Sequence, residues 1–165
     1  MIENTCCFSG NRPKCLPWID DENSLIYKQY YIKLRQLVIN SINEGYENFV
    51  CGGAIGGDLM FAKIIIELKK VYNITLEFAL PFKDHTTLWK REQKEQFNKL
   101  TPFTDTITYV SIEPYQYKSI YFIRNRYMID KSSKIISLWN GLSKGTGYTI
   151  KYAINHGLKY EILSV

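Results

Sequence analysis

Short apolar runs alternate with longer amphipathic stretches along the whole chain. Runs of strand length fall at residues 5–8, 48–51, 75–80, 106–110, 134–138 and 160–163. The segments between them carry helical spacing. In residues 24–43, Leu34, Leu37, Val38 and Ile42 share one face, while Lys33, Gln36, Asn40 and Asn43 lie elsewhere. In residues 58–72, Lys63, Glu67 and Lys70 form a single polar stripe, which predicts a helix buried on most sides. Residues 87–100 are charged and read as a peripheral helix; residues 119–131 and 149–156 complete the series, the last stopped by Gly157. Strands alternating with helices predict an α/β fold, an open and mostly parallel sheet with helices on both faces. No repeat or linker interrupts the pattern, so residues 1–165 are expected to form one domain.

In such sheets ligands bind at the carboxyl ends of the strands, where loops meet helix N-termini. All of the ten glycines except Gly45 and Gly157 collect in three segments at that edge. The first loop reads Ser9-Gly10-Asn11-Arg12-Pro13: glycine lets backbone approach an anion, and Arg12 supplies a planar donor fork. The second, Gly52-Gly53-Ala54-Ile55-Gly56-Gly57-Asp58, runs into the buried helix, and its small residues bare backbone amides at a positive helix end. Asp58 has two readings here, a helix cap or an acceptor for ribose hydroxyls. The third runs from Trp139-Asn140-Gly141 through Lys144-Gly145-Thr146-Gly147 to Thr149, offering amides and hydroxyls to an anion. None of the three carries a P-loop or a G-x-G-x-x-G fingerprint. Pro81-Phe82 follows the third strand. Within a later helix, Arg124 and Tyr127 share a face by their spacing, Asn125 adjoins them, and Arg126 points to solvent. Trp89 and the cluster Tyr115, Tyr117 and Tyr121 could stack on a base or serve as core and interface.

Composition narrows the classes. The hydrophobic share of 45% excludes disorder, and the apolar runs are far shorter than a membrane span. The N-terminal Met1-Ile2-Glu3-Asn4 lacks the form of a secretory signal, so a cytoplasmic protein is expected. A net charge of +5 suits an anionic partner, but without a basic arm it favours a small phosphate-bearing ligand over nucleic acid. Cys6, Cys7, Cys15 and Cys51 form no C-x-x-C pair and only two histidines occur, so no metal is expected.

Taken in order, these segments resemble the YpsA-like family of the SLOG superfamily. The resemblance rests on Thr5 to Pro13, on Gly52-Gly53-Ala54-Ile55-Gly56-Gly57-Asp58, and on Leu80-Pro81-Phe82 with Trp89. It continues through Arg124-Asn125-Arg126-Tyr127-Met128-Ile129-Asp130 and Leu138-Trp139-Asn140-Gly141 to Gly145-Thr146, with Asn11 where the family usually has His. It implies a Rossmann-like fold that binds nucleotides or their derivatives, with no cofactor. Members are phosphoribohydrolases, DprA-like DNA binders or sensors of ADP-ribose-type signals. The hydrolases carry a catalytic arginine that aligns with Arg124, but their glutamate aligns with Thr149. Threonine cannot stabilise an oxocarbenium ion or activate water as a carboxylate does. The resemblance therefore implies a binding protein that senses or sequesters a phosphorylated nucleotide derivative, ADP-ribose-like or cyclic. Its ligand residues would be Ser9, Gly10, Arg12, Gly52, Gly53, Ala54, Gly56, Asp58, Pro81, Arg124, Asn125, Gly141, Gly145, Thr146, Gly147 and Thr149, with phosphates on the amides of the second and third segments. The rivals are a hydrolase using Asp58 and Arg124, and a DprA-like binder of single-stranded DNA. Pairing of superfamily members through helices, together with the many tyrosines, implies a homo-oligomer.

Overall fold

The computed structural model describes residues 3–114 and 117–165. Six strands form one sheet: β1 (Thr5–Gly10), β2 (Asn48–Cys51), β3 (Thr75–Leu80), β4 (Thr106–Tyr109), β5 (Lys134–Trp139) and β6 (Lys159–Ser164). They lie in the order β4-β3-β2-β1-β5-β6. Every neighbouring pair is parallel. β1 therefore occupies the interior, with Cys7 registered against Val50 on one side and Ile135 on the other. Burial on both faces explains why β1, β2 and β5 read as largely apolar runs, whereas the edge strands β4 and β6 are mostly exposed.

Five helices connect the strands: α1 (Leu25–Asn43), α2 (Gly57–Leu68), α3 (Arg91–Leu100), α4 (Ser119–Asp130) and α5 (Lys144–Asn155). Their two-sided distribution follows from the order of the strands. The first three crossovers move outward from β1 towards β4, and α1, α2 and α3 pack on one face around Phe8, Leu34, Val38, Phe49, Phe61, Phe78 and Phe97. The chain then returns to the far side of β1, and α4 and α5 cover the other face, where Cys7, Val50, Ala79, Met128, Ile129, Ile135 and Ala153 meet. Phe8 and Phe61 stack with ring centres 4.4 Å apart, which locks α2 onto β1. The Ser24 hydroxyl caps α1 by accepting from the Tyr27 amide at 3.1 Å.

Helix starts depart from the spacing-based reading at two places. α3 begins at Arg91 rather than 87, because residues 84–89 are spent on turns closed by Thr87 N–H to Asp84 and Trp89 N–H to Thr86. α5 begins at Lys144 rather than 149, with Ser143 at its N-cap position, so Gly145, Thr146 and Gly147 form its first turns and not a loop. Among the described residues no helix is long and apolar enough to cross a membrane.

Candidate functional site

The strand order reverses between β1 and β5, since β1 connects forward to β2 while β5 arrives from β4. At the carboxyl ends of these strands lies a cavity of about 1010 Å³. Its wall takes Ser9, Gly10, Arg12, Lys14 and Cys15 from β1 and the turn beyond, and Ala54 and Asp58 from the entry to α2. Phe82, Asp84, His85, Leu88 and Trp89 come from the segment between β3 and α3; Lys118, Tyr121, Arg124 and Asn125 from α4 and its approach; Ser143, Gly145 and Thr146 from the start of α5.

Asn11 builds this edge. Its amide donates to the Leu138 carbonyl at 2.9 Å, and its carbonyl accepts from the Gly57 amide at 2.9 Å. Its Oδ1 accepts from the Asn140 amide at 2.7 Å, and its Nδ2 donates to Thr146 Oγ1 at 3.4 Å. One buried residue, through its main chain and its side chain, thus joins the mouth of β1 to α2, β5 and α5.

Arg124 is buried, with its guanidinium drawn inward. Nη1 donates to the Gly52 carbonyl at 2.6 Å and Nε to Asn125 Oδ1 at 2.8 Å. Asp58 is buried beside it, and its Oδ2 accepts from the Ala54 amide at 3.2 Å. The closeness is registered at Gly52, where a Cβ would lie 2.3 Å from Arg124 Nη1 and 2.8 Å from Asp58 Oδ2. Burial raises the Asp58 carboxyl above its ordinary pKa, against the pull of Arg124, the Ala54 amide and Arg12. Of its two readings, the cap is not found: Gly56 is the N-cap of α2 and no side chain caps it. Asp58 instead folds back onto the preceding loop with an edge in the cavity.

Asp58 places a carboxylate in the first turn of α2, which weighs against an anion at that helix end. The first turn of α5 has no such occupant. Among the described residues a Cβ at Gly145 would meet nothing within 4 Å, so backbone there is open to close approach. Arg12 is exposed, with its guanidinium 5.5 Å from the Tyr121 ring centre. Arg12, Lys14, Lys118 and Arg124 face two carboxylates, Asp58 and Asp84, so the wall carries a positive excess.

Ser9, Gly10, Arg12, Ala54, Asp58, Arg124, Asn125, Gly145 and Thr146 are brought together on the wall. Gly52, Gly53, Gly56, Pro81, Gly141, Gly147 and Thr149 are not part of it. Gly56 takes φ 95° against the Asn11 carbonyl, and Gly147 packs against Trp139, where a Cβ would lie 2.9 Å from the indole. Thr149 is fully buried: its hydroxyl donates to the Gly145 carbonyl at 3.0 Å and accepts from Asn125 Nδ2 at 2.9 Å. Tyr127 parts company with Arg124 and donates to Glu77 Oε1 at 2.8 Å on the sheet face. Arg126 is exposed as expected and donates to the Tyr148 hydroxyl at 2.6 Å. Trp89 and Tyr121 line the cavity, Tyr117 does not, and Tyr115 lies outside the described residues.

Sequence reasoning missed Lys14, Asp84, His85, Lys118 and Ser143. His85 had a signal, as one of two histidines and just past the carboxyl end of a strand. Among the described residues neither of its buried ring nitrogens has a hydrogen-bond partner, and the ring sits edge-on to Trp89 and Phe97, each 5.1 Å away. Burial, with Arg124 and Arg12, lowers the imidazole to about 4, and the adjacent Gly53 backbone only partly offsets this. The folded state therefore refuses a proton that the unfolded chain accepts below about pH 6.5. Stability is expected to fall between that pH and about 4, by at most about 1.4 kcal/mol per pH unit. Chemical denaturation across this window checks it: His85→Phe should lose the extra acid slope relative to the parent, and parallel slopes would refute the assignment.

Among the described residues no group of three or more His, Cys, Asp or Glu side chains could hold a metal ion. Cys6, Cys7 and Cys51 are buried, and burial raises all three thiols, Cys7 to about 12.

The YpsA family model, described as the YspA SLOG family, matches residues 6–162. A UPF0398 protein of Bacillus pumilus is 26% identical over 138 residues, covering 82% of this chain and 73% of that protein. The SPbeta prophage-derived protein YoqJ of Bacillus subtilis is 31% identical over 130 residues, covering 72% of this chain and 76% of YoqJ. A UPF0398 protein of Halalkalibacterium halodurans is 26% identical over 113 residues, or 67% of this chain, and the match spans 60% of that protein. Among solved structures, DNA processing protein A (DprA) from Streptococcus pneumoniae is similar with a TM-score of 0.55 at 11% identity. That likeness covers 95% of this chain and 58% of DprA, and it is one of fold.

Proposed function

The chain belongs to the YpsA SLOG family, and from that premise we propose that it is one ligand-binding domain whose cavity senses or sequesters a phosphorylated nucleotide derivative, ADP-ribose-like or cyclic. The observation that carries this reading is the joining, in one cavity, of a cationic wall, an open helix N-terminus and an aromatic flank. The first-turn amides of α5 lack partners within the helix and suit a phosphate, with Arg12 and Lys118 adding charge. Asp58 accepts ribose hydroxyls, a role for which its acceptor character and buried edge fit better than anion binding. Trp89 and Tyr121 supply faces for a base. Thr149, where the hydrolases have glutamate, is sealed under the site, which favours binding over N-glycosidic cleavage.

A thermal-shift panel of AMP, ADP, NAD, ADP-ribose, cyclic ADP-ribose isomers and cyclic dinucleotides tests it. A ligand at about 100 times its Kd should stabilise by about 2.7 kcal/mol, raising the midpoint by roughly 5–10 °C. A hit recovered intact supports a sensor or sponge. Recovery as products, lost in Asp58→Asn, would replace it with a hydrolase. No shift, with single-stranded DNA binding that weakens steeply in salt, would replace it with a DNA binder.

A further inference from the structure

A chain of hydrogen bonds runs beneath the cavity from one glycine segment to the other. The Gly52 carbonyl accepts from Arg124 Nη1 at 2.6 Å, and Arg124 Nε donates to Asn125 Oδ1 at 2.8 Å. Asn125 Nδ2 donates to Thr149 Oγ1 at 2.9 Å, and that hydroxyl donates to the Gly145 carbonyl at 3.0 Å. Both ends fix something that faces the ligand space. At Gly52, Arg124 and Asp58 crowd the same small volume, so a shift of the guanidinium moves the carboxylate's neighbour and its charge partner. At Gly145, the peptide is trans and planar, so holding its carbonyl sets the opposite aim of the Thr146 N–H, a first-turn donor of α5. Arg124 and Asn125 reach the cavity; Thr149 does not.

We infer that Asn125 and Thr149 are positioning residues that fix the spacing between the Asp58 carboxylate and the first turn of α5, so that the cavity selects a sugar bearing a phosphate over a bare phosphate. This rests on the binding function proposed above and adds the device that sets its selectivity. Asn125 is suited to the middle of the chain because its amide presents an acceptor to Arg124 and a donor to Thr149 at once. Thr149 is suited to the end because a single hydroxyl both accepts and donates.

The alternative is a plain tie between α4 and α5, and affinity ratios separate the two. Titration calorimetry with inorganic phosphate and with adenosine 5′-monophosphate should give the parent a preference for the nucleotide of about tenfold or more. Thr149→Val keeps the shape and removes the hydroxyl; it should cut that preference about fivefold or more while phosphate affinity changes by less than about twofold. Thr149→Ser, which keeps the hydroxyl, should restore the parent ratio. Asn125→Ala breaks the chain at its middle and should lower the ratio likewise, so the result does not depend on one variant folding. A lower melting midpoint with an unchanged ratio in these variants overturns the inference and leaves the function standing. A parent that binds neither probe overturns the inference, and the function falls with it only if the whole nucleotide panel also gives no shift.

Discussion

Gly56→Ala is expected to lower stability by about 4 kcal/mol, the sum of backbone strain and overpacking, and the melting midpoint by roughly 8–16 °C. Gly56 adopts φ 95° and ψ −127°, a region closed to residues with a Cβ. Steric surroundings close it further. An added Cβ would lie 2.6 Å from the Asn11 carbonyl oxygen and 3.0 Å from Arg12 Cα. Both are backbone atoms of the first loop, so no rotamer change relieves the contact; the mouth of β1 must move. Gly145→Ala is the control, because its Cβ meets open space and its position is helical. That variant should match the parent or gain up to about 1 kcal/mol. Calorimetric melting of both proteins decides the matter, and a Gly56→Ala midpoint within 2–3 °C of the parent, a shift expected from only about 1 kcal/mol, would contradict the packing described.

Arg124→Met should cost about 2–4 kcal/mol, because it strips two acceptors of a buried charged donor and takes a nearby cation away from the buried Asp58 carboxyl. Asp58 would be left without its nearest cation, and the Gly52 carbonyl and Asn125 Oδ1 would each lose a donor. The deficit has a predictable dependence on pH. Burial already raises the Asp58 carboxyl, and loss of Arg124 raises it further. A group with a raised folded pKa adds stability as pH falls towards its unfolded value of 3.8 and loses it as pH rises. The variant's deficit should therefore shrink on acidification. Adding Asp58→Asn should recover part of the loss at neutral pH. Denaturant melts at two pH values, read as a double-mutant cycle, test both statements; a deficit that grows towards acid, or additive losses, would refute the pairing.

The interior strands were legible in the sequence because burial on both faces makes them largely apolar, Glu77 of β3 excepted, and the exposed edge strands β4 and β6 showed through their β-branched and aromatic residues. The start of α5 was not, since Gly145 and Gly147 are poor helix formers and read as a loop. Tertiary contacts override that propensity: Gly147 fits where the Trp139 indole leaves no room for a Cβ, and Thr146 and Thr149 are tied by hydrogen bonds to Asn11 and Asn125. The carboxyl-edge rule pointed to the cavity's edge and to Arg12 and Asp58, whereas Arg124, inside α4, came from helical spacing and the family resemblance. It could not separate residues facing the cavity from those beneath it, because Thr149 and Thr146 lie three positions apart on one helix and differ only in what packs against them. Asn11 was beyond reach for another reason. Its partners Asn140 and Thr146 lie more than a hundred residues away, and no local pattern announces such a junction.

The pairing of β1 with β5 joins residues 6 and 134. During folding, β1 can take β2 as a neighbour early, but its other edge stays unsatisfied until most of the chain has passed through five further helices and strands, α2, β3, α3, β4 and α4. Closing so long a loop is entropically the slowest pairing in the sheet. The cleft lies over that seam, so it exists only once the last long-range contact has formed, and an occupant is in effect a clasp on the contact most costly to make again after it opens.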